Sequence, residues 1–318
     1  MRTLTILLLV GVVMGSMSSR AAEITTIAVG YLEITDDPRY EEKRAYARIR
    51  VKPHDRPLPG AELAIRESRI LGRALKMKFR LERGKGKTAA DLAGEVERLS
   101  AVGVRYFLVD ADAVVLDALA KATADRDLLL FNISEPSDVL RASGCQAHLI
   151  HTLPSYAMRT DALAQVLIAN KWREVLVLKG SLEGDAAYAA AFQASAKRFG
   201  VKVTAIRDFV LGNDPRERGK NNIRLMTAKD DYDVVFIADT EGEFGRYVPF
   251  QTNRPRPIIG TEGLIAEAWH WSWERHGAPQ LNQRFEKRAK RRMTGPDWAA
   301  WMAVKAVIES IVRTKSAN

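Results

Sequence analysis

The residues with the most chemistry to offer are two matching pairs of acids. Tyr106-Phe107-Leu108-Val109-Asp110-Ala111-Asp112 parallels Val235-Phe236-Ile237-Ala238-Asp239-Thr240-Glu241: each is an apolar run that ends in acid, any residue, acid. Runs of this kind read as buried strands, so each pair falls at a strand's carboxyl end, where open α/β sheets bind their ligands. If the two strand ends face one gap, Asp110, Asp112, Asp239 and Glu241 converge as a carboxylate clamp. Hard cations take several carboxylate oxygens, and Ca²⁺ takes about six to eight oxygen ligands. The expectation is therefore a bound Ca²⁺ or lanthanide ion, or an organic amine. Glu33, Glu135, Asp185 and Glu262, also at predicted strand ends, would add to an acidic cleft, with Tyr31 and His151 beside it. Two other readings stay open. Asp is a common helix cap, and the gap could hold an uncharged polyol or alcohol.

The elements that position these acids alternate. A β-branched run at 24–32 is followed by a polar excursion at 33–59 and a helical pattern at 60–75. Strands at 78–81, 105–110, 128–132 and 148–153 then alternate with helices at 89–102 and 113–124. A second set has helices at 160–170 and 185–199, another near 221–227, and strands at 174–178, 202–209 and 233–239. Apolar strands separated by amphipathic helices imply parallel sheets covered on both faces. The expected fold is α/β with two doubly wound Rossmann-like lobes: residues 22–150 plus 258–318 in the first, 151–257 in the second. Ile258–Gly260 reads as a strand returning to the first lobe, and 297–312 as a closing amphipathic helix. The excursion at 33–59 is long for such a connection, which suggests a functional surface near the cleft mouth.

Composition fits this. The chain has 318 residues, 47% hydrophobic and 28% charged, enough to bury a sizeable core in two domains. Its formal net charge of +10 favours anionic partners or surfaces. The lone Cys145 excludes an intrachain disulfide and reads as a small buried apolar residue. Arg2, the apolar run 4–14 and the small residues ending at Ala21 have the layout of a signal peptide covering residues 1–21, which places the mature protein in the periplasm.

Enzyme signatures are missing. Gly84-Lys85-Gly86-Lys87-Thr88 resembles the end of a phosphate loop, but Leu81 stands where the first glycine must be. No Gly-x-Ser-x-Gly elbow occurs, and His54, His148, His151, His270 and His276 form no spaced metal pair. Five tryptophans lie between 269 and 301; Trp269 and Trp273 are four apart and would share a helix face. The basic run 284–292 reads as a solvated helix face or a docking patch. No nucleic-acid-reading motif is present.

Gly60-Ala61-Glu62-Leu63-Ala64, the unit at 104–120, His151-Thr152-Leu153-Pro154-Ser155 and Ala196-Lys197-Arg198-Phe199-Gly200-Val201 together resemble the branched-chain amino-acid-binding type of periplasmic solute-binding protein. The tail Trp273-Glu274-Arg275-His276-Gly277-Ala278-Pro279-Gln280-Leu281-Asn282, with Asp297-Trp298-Ala299-Ala300-Trp301, looks like the subgroup associated with pyrroloquinoline-quinone-dependent alcohol dehydrogenases. The resemblance implies the type I periplasmic binding fold. It also implies lobes joined by three crossovers and hinged near 148–154 and 253–257, closing on a small ligand that is handed to an inner-membrane ABC permease. An accessory or sensor protein of the quinone dehydrogenase without a transport role is the alternative. Relatives of this type carry a Gly and a Ser after the strand occupied here by 106–110. Two acids in their place would repel a ligand carboxylate, at about 4 kcal/mol for like charges near 4 Å and an effective dielectric near 20.

Overall fold

The computed structural model describes residues 24–41, 55–210 and 216–314. The signal-peptide assignment and residues 42–54 of the polar excursion, His54 among them, lie outside the described residues. Nine described strands form two all-parallel sheets. The first contains β1 (Thr25–Ile34), β2 (Met77–Gly86), β3 (Tyr106–Asp110), β4 (Leu129–Asn132) and β5 (Leu149–His151), in the order β2-β1-β3-β4-β5. The second contains β6 (Glu174–Lys179), β7 (Lys202–Asp208), β8 (Val234–Ala238) and β9 (Ile258–Gly260), in the order β7-β6-β8-β9.

Helices cover both faces of each sheet. The first sheet carries α1 (Leu58–Glu67), α2 (Arg69–Ala74), α3 (Ala89–Ser100) and α4 (Ala113–Ala122). The second carries α5 (Tyr156–Ala169), α6 (Glu183–Phe199), α7 (Ile223–Met226) and α8 (Val248–Gln251). The chain then returns to the first with α9 (Ala278–Ala289) and α10 (Gly295–Thr314). Strand β1 shows why two layers are needed: Ile27, Val29 and Tyr31 pack with Ala61, Ala64, Ala303 and Val307 on one face. Leu32 and Ile34 pack with Leu92, Val96 and Leu116 on the other. A strand buried on both faces is mostly apolar, as β1 is from Ile27 to Leu32, before Glu33 at its carboxyl end. None of the described helices is long and apolar enough to cross a membrane.

Several expectations are corrected. Strand β9 pairs with β8 in the second sheet, through Val235↔Ile258 and its neighbours, instead of returning to the first. Three apolar residues cannot specify which sheet they join; the backbone partner does. The described chain therefore crosses between the sheets twice, at 152–155 and 261–277, and Asn253–Pro257 lies inside the second unit instead of at a hinge. Residues 269–273 are not helical. Trp269 is buried, its indole donates to the Met293 carbonyl at 3.2 Å and it stacks on Trp298, while Trp271 and Trp273 are exposed. Cys145 is exposed, in the turn before β5. The basic run lies on α9, where Arg284 and Arg288 reach back to Glu67 and Glu62 of α1.

The motif opening α1 has a packing role. A Cβ placed on Gly60 would lie 2.0 Å from the Asp297 carbonyl oxygen, because α1 and α10 touch backbone to backbone there. In a free helix Gly→Ala gains about 1 kcal/mol; overpacking here should reverse the sign and cost about 1–3 kcal/mol. Urea unfolding of Gly60→Ala measures it, and a stabilised variant would refute the close approach.

Candidate functional site

Both sheets change winding direction once, between β1 and β3 in the first and between β6 and β8 in the second. These switch points open crevices at the strands' carboxyl ends. The predicted acids gather there, each half neutralising its own.

In the first sheet the register sets Glu33 of β1 directly beside Asp110 of β3, and both are buried. Asp110 is fully enclosed by four donors: the hydroxyls of Tyr40 at 2.7 Å and Tyr31 at 3.3 Å, and the guanidinium groups of Arg39 and Arg56, each at 3.3 Å. Glu33 receives Arg83 and Lys85 from β2, both at 2.8 Å. Burial alone would raise the Glu33 pKa, but those two hydrogen bonds outweigh it and hold the carboxyl below its ordinary value. Arg39 also grips Asp37 at 2.7 Å and donates to the Ser134 hydroxyl at 3.3 Å. The Tyr40 ring lies under both guanidinium groups, 4.6 Å from that of Arg56 and 5.4 Å from that of Arg39. Tyr31 is not a cleft wall: it is fully buried beneath Asp110, and burial followed by the Asp110 charge raises its pKa well above the usual phenol value.

The second sheet uses backbone amides instead of cations. Asp239 accepts from the N–H groups of Gly242, Phe244 and Gly245 at 3.0, 2.8 and 2.7 Å. Its pKa is raised, by burial first and with the Asp185 charge contributing. Asp185 accepts from the Leu182 amide and from both the amide and hydroxyl of Thr240. Asp112 caps α4 by accepting from the Val115 amide at 2.9 Å. The helix-capping reading thus describes Asp112, and a loop-bracing variant of it describes Asp239.

The metal clamp is corrected on these grounds. Asp110, Asp112, Asp239 and Glu241 do not converge, and no group of three or more His, Cys, Asp or Glu among the described residues could hold a metal ion. The Asp110 oxygens are occupied by arginines and tyrosines, and those of Asp239 by amides. Glu262 sits against the 242–245 loop, its side chain within 2.9 Å of where a Gly245 Cβ would lie.

What faces the gap is more mixed. Glu135 follows β4; its loop touches the second unit where the Tyr156 amide donates to the Pro136 carbonyl at 3.0 Å. Asp138 accepts from the Ala157 amide at 3.1 Å. Burial raises the Glu135 pKa, with Arg39 and Asp112 as nearby charges. Opposite, a Cβ placed on Gly184 would lie 3.3 Å from the Thr240 hydroxyl and 3.5 Å from the Tyr156 hydroxyl, so these three residues border the same space. His151 accepts at Nδ1 from the Asn132 amide at 2.9 Å, and its pKa is lowered to about 4 by burial and then by the Arg141 charge. Sequence reasoning missed Arg39, Tyr40, Arg56, Ser134 and Tyr156. The cue was available for three of them: the excursion at 33–59 is rich in arginine and flanks a predicted acid.

Removing the anion from this cluster leaves two guanidinium groups facing each other. Asp110→Ala should therefore lose about 3–5 kcal/mol in urea unfolding, and a loss under 1 kcal/mol would contradict the internal neutralisation. His151 titrates lower folded than unfolded, near 4 against 6.5. The unfolded chain then binds the extra proton, and stability falls as pH drops from about 6.5 towards 4. Unfolding curves across that window should be shallower for His151→Gln than for the parent; identical pH slopes would count against it.

No protein-family model and no curated protein matches this chain. Solved structures do match in fold. A branched-chain amino-acid ABC transporter periplasmic ligand-binding protein from Burkholderia xenovorans superposes with a TM-score of 0.69 at 11% identity, covering 92% of this chain and 79% of its own. An ABC transporter substrate-binding protein from Desulfitobacterium hafniense in complex with Leu gives 0.65 at 15% identity, over 91% and 84% of the two chains. A solute-binding protein from Rhodopseudomonas palustris in complex with 3,4-dihydroxybenzoic acid gives 0.64 at 11%, over 91% and 81%. The two doubly wound lobes are those of the type I periplasmic binding protein fold.

Proposed function

We propose that this chain is the periplasmic solute-binding component of an ABC importer, a binder and not a catalyst, closing its two lobes on a small organic solute. One observation carries the reading: the 134–136 loop at the carboxyl end of the first sheet meets Tyr156 of the second unit, which borders Gly184 and Thr240. That is where such a fold holds cargo. The walls offer the Ser134 and Tyr156 hydroxyls, a guanidinium edge at Arg39 and one carboxyl at Glu135. This set suits a polar molecule with both a donor and an acceptor better than a bare Ca²⁺ or lanthanide ion. Export rests on the apolar run 4–14 and on the periplasmic proteins of similar fold. The finer link to a pyrroloquinoline-quinone-dependent alcohol dehydrogenase is supported by the tail motifs at 273–282 and 297–301 alone.

The test is calorimetric titration with leucine, 3,4-dihydroxybenzoate, putrescine, Ca²⁺ and La³⁺, followed by small-angle scattering with whichever binds. An organic solute should bind and compact the protein. Tyr156→Phe and Glu135→Gln should each weaken it about tenfold or more, the worth of one hydrogen bond to a charged group. Binding by the metal ions alone, or solute binding that neither variant alters, would overturn the reading.

A further inference from the structure

Away from the strand ends, a groove of about 360 Å³ runs between α5 and the 264–268 segment that leads out of β9. Small-ligand sites begin at about 300 Å³. Its walls are mostly apolar: Met158, Leu163 and Val166 from α5 face Leu264 and Ile265. Met158, Val166, Leu264 and Ile265 are exposed, although side chains of this kind gain most by leaving water.

One lining residue does not fit an empty apolar trough. Arg159 stands one helical turn before Leu163, on the same face of α5. Its Nε is shielded from solvent and has no hydrogen-bond partner. No carboxylate among the described residues pairs with its guanidinium; Glu267 lies on the exposed rim of the groove and makes no ion pair with it. Buried donors are almost always satisfied, so an orphan beside a cavity calls for a missing acceptor. A second cation sharpens this. Arg141 donates to the Leu153 carbonyl at 2.6 Å, next to the groove-lining Pro154. Its pKa is lowered by burial and, against the pull of Asp138, by the Arg159 charge.

We propose that this groove binds a small amphiphilic monoanion, a medium-chain alkyl carboxylate, with the carboxylate on Arg159 and the chain along Val166, Leu264 and Ile265. The groove's lining shares none of the crevice residues Ser134, Glu135, Tyr156, Gly184 and Thr240. Its walls include Pro154 and 264–268, which belong to the two segments connecting the sheets, so an occupant touches both connections at once.

Octanoate titrated calorimetrically into the full chain is the probe, with octan-1-ol and acetate as the uncharged and the chainless controls. Octanoate should bind at least tenfold more tightly than either control. Arg159→Gln should weaken it about tenfold or more, Arg159→Lys should recover most of that loss, and Val166→Trp, which fills the groove from an exposed position, should abolish binding. No octanoate binding, or binding that survives Arg159→Gln and Val166→Trp in variants with unchanged circular dichroism, would overturn the proposal.

Discussion

Two carboxylates forced side by side in a buried place govern the first half of this molecule. The β1–β3 register puts Glu33 against Asp110 at the switch point of the sheet, with almost no solvent to screen them. Neighbouring buried anions are tolerated only when cations and hydrogen bonds compensate them. The chain supplies Arg83 and Lys85 from the adjacent strand, and Arg39 and Arg56 from the two ends of the excursion after β1. That need explains why both described ends of the excursion return to the sheet and why the Tyr40 ring meets two guanidinium groups. The positive partners that an acidic strand end invites are, in the first sheet, built into the protein.

The second half meets a similar demand differently. Asp185 and Asp239 are also buried at a switch point, yet their acceptor positions are filled by amide groups of the 180–185 and 239–245 loops and by Thr240. Amide dipoles stabilise a carboxylate without bringing a full counter-charge. One wall of the crevice therefore presents guanidinium edges around spent acids, and the other presents hydroxyls and backbone. A crevice of this composition offers hydrogen-bond partners more than net charge, which separates it from the carboxylate clamp expected of the bare acid pairs.

Much of the architecture is legible in the residue order. The apolar runs at β1, β3, β6 and β8 and the amphipathic spacing of α3 and α6 carry their own periodicity, because a strand covered on both faces has few other sequences open to it. Strand ends were equally readable, and with them the location of Glu33, Asp110, Asp185 and Asp239. The tryptophan segment misled for a physical reason: a four-residue spacing is compatible with a helix but does not create one, and Trp269 instead anchors an irregular crossover through its indole N–H.

The sequence by itself determined the two doubly wound lobes and the acids at their switch points, since hydrophobic period and the carboxyl ends of strands are local properties. Tertiary structure alone decided which sheet receives β9, because three apolar residues hold no record of their partner. It also decided the fate of each acid, because a charge's partners come from chain segments far away in sequence: Arg39 and Arg56 reach Asp110 only once a loop has closed. Whether a carboxylate is a ligand or a brace depends on those distant donors, and no spacing between neighbouring residues encodes them.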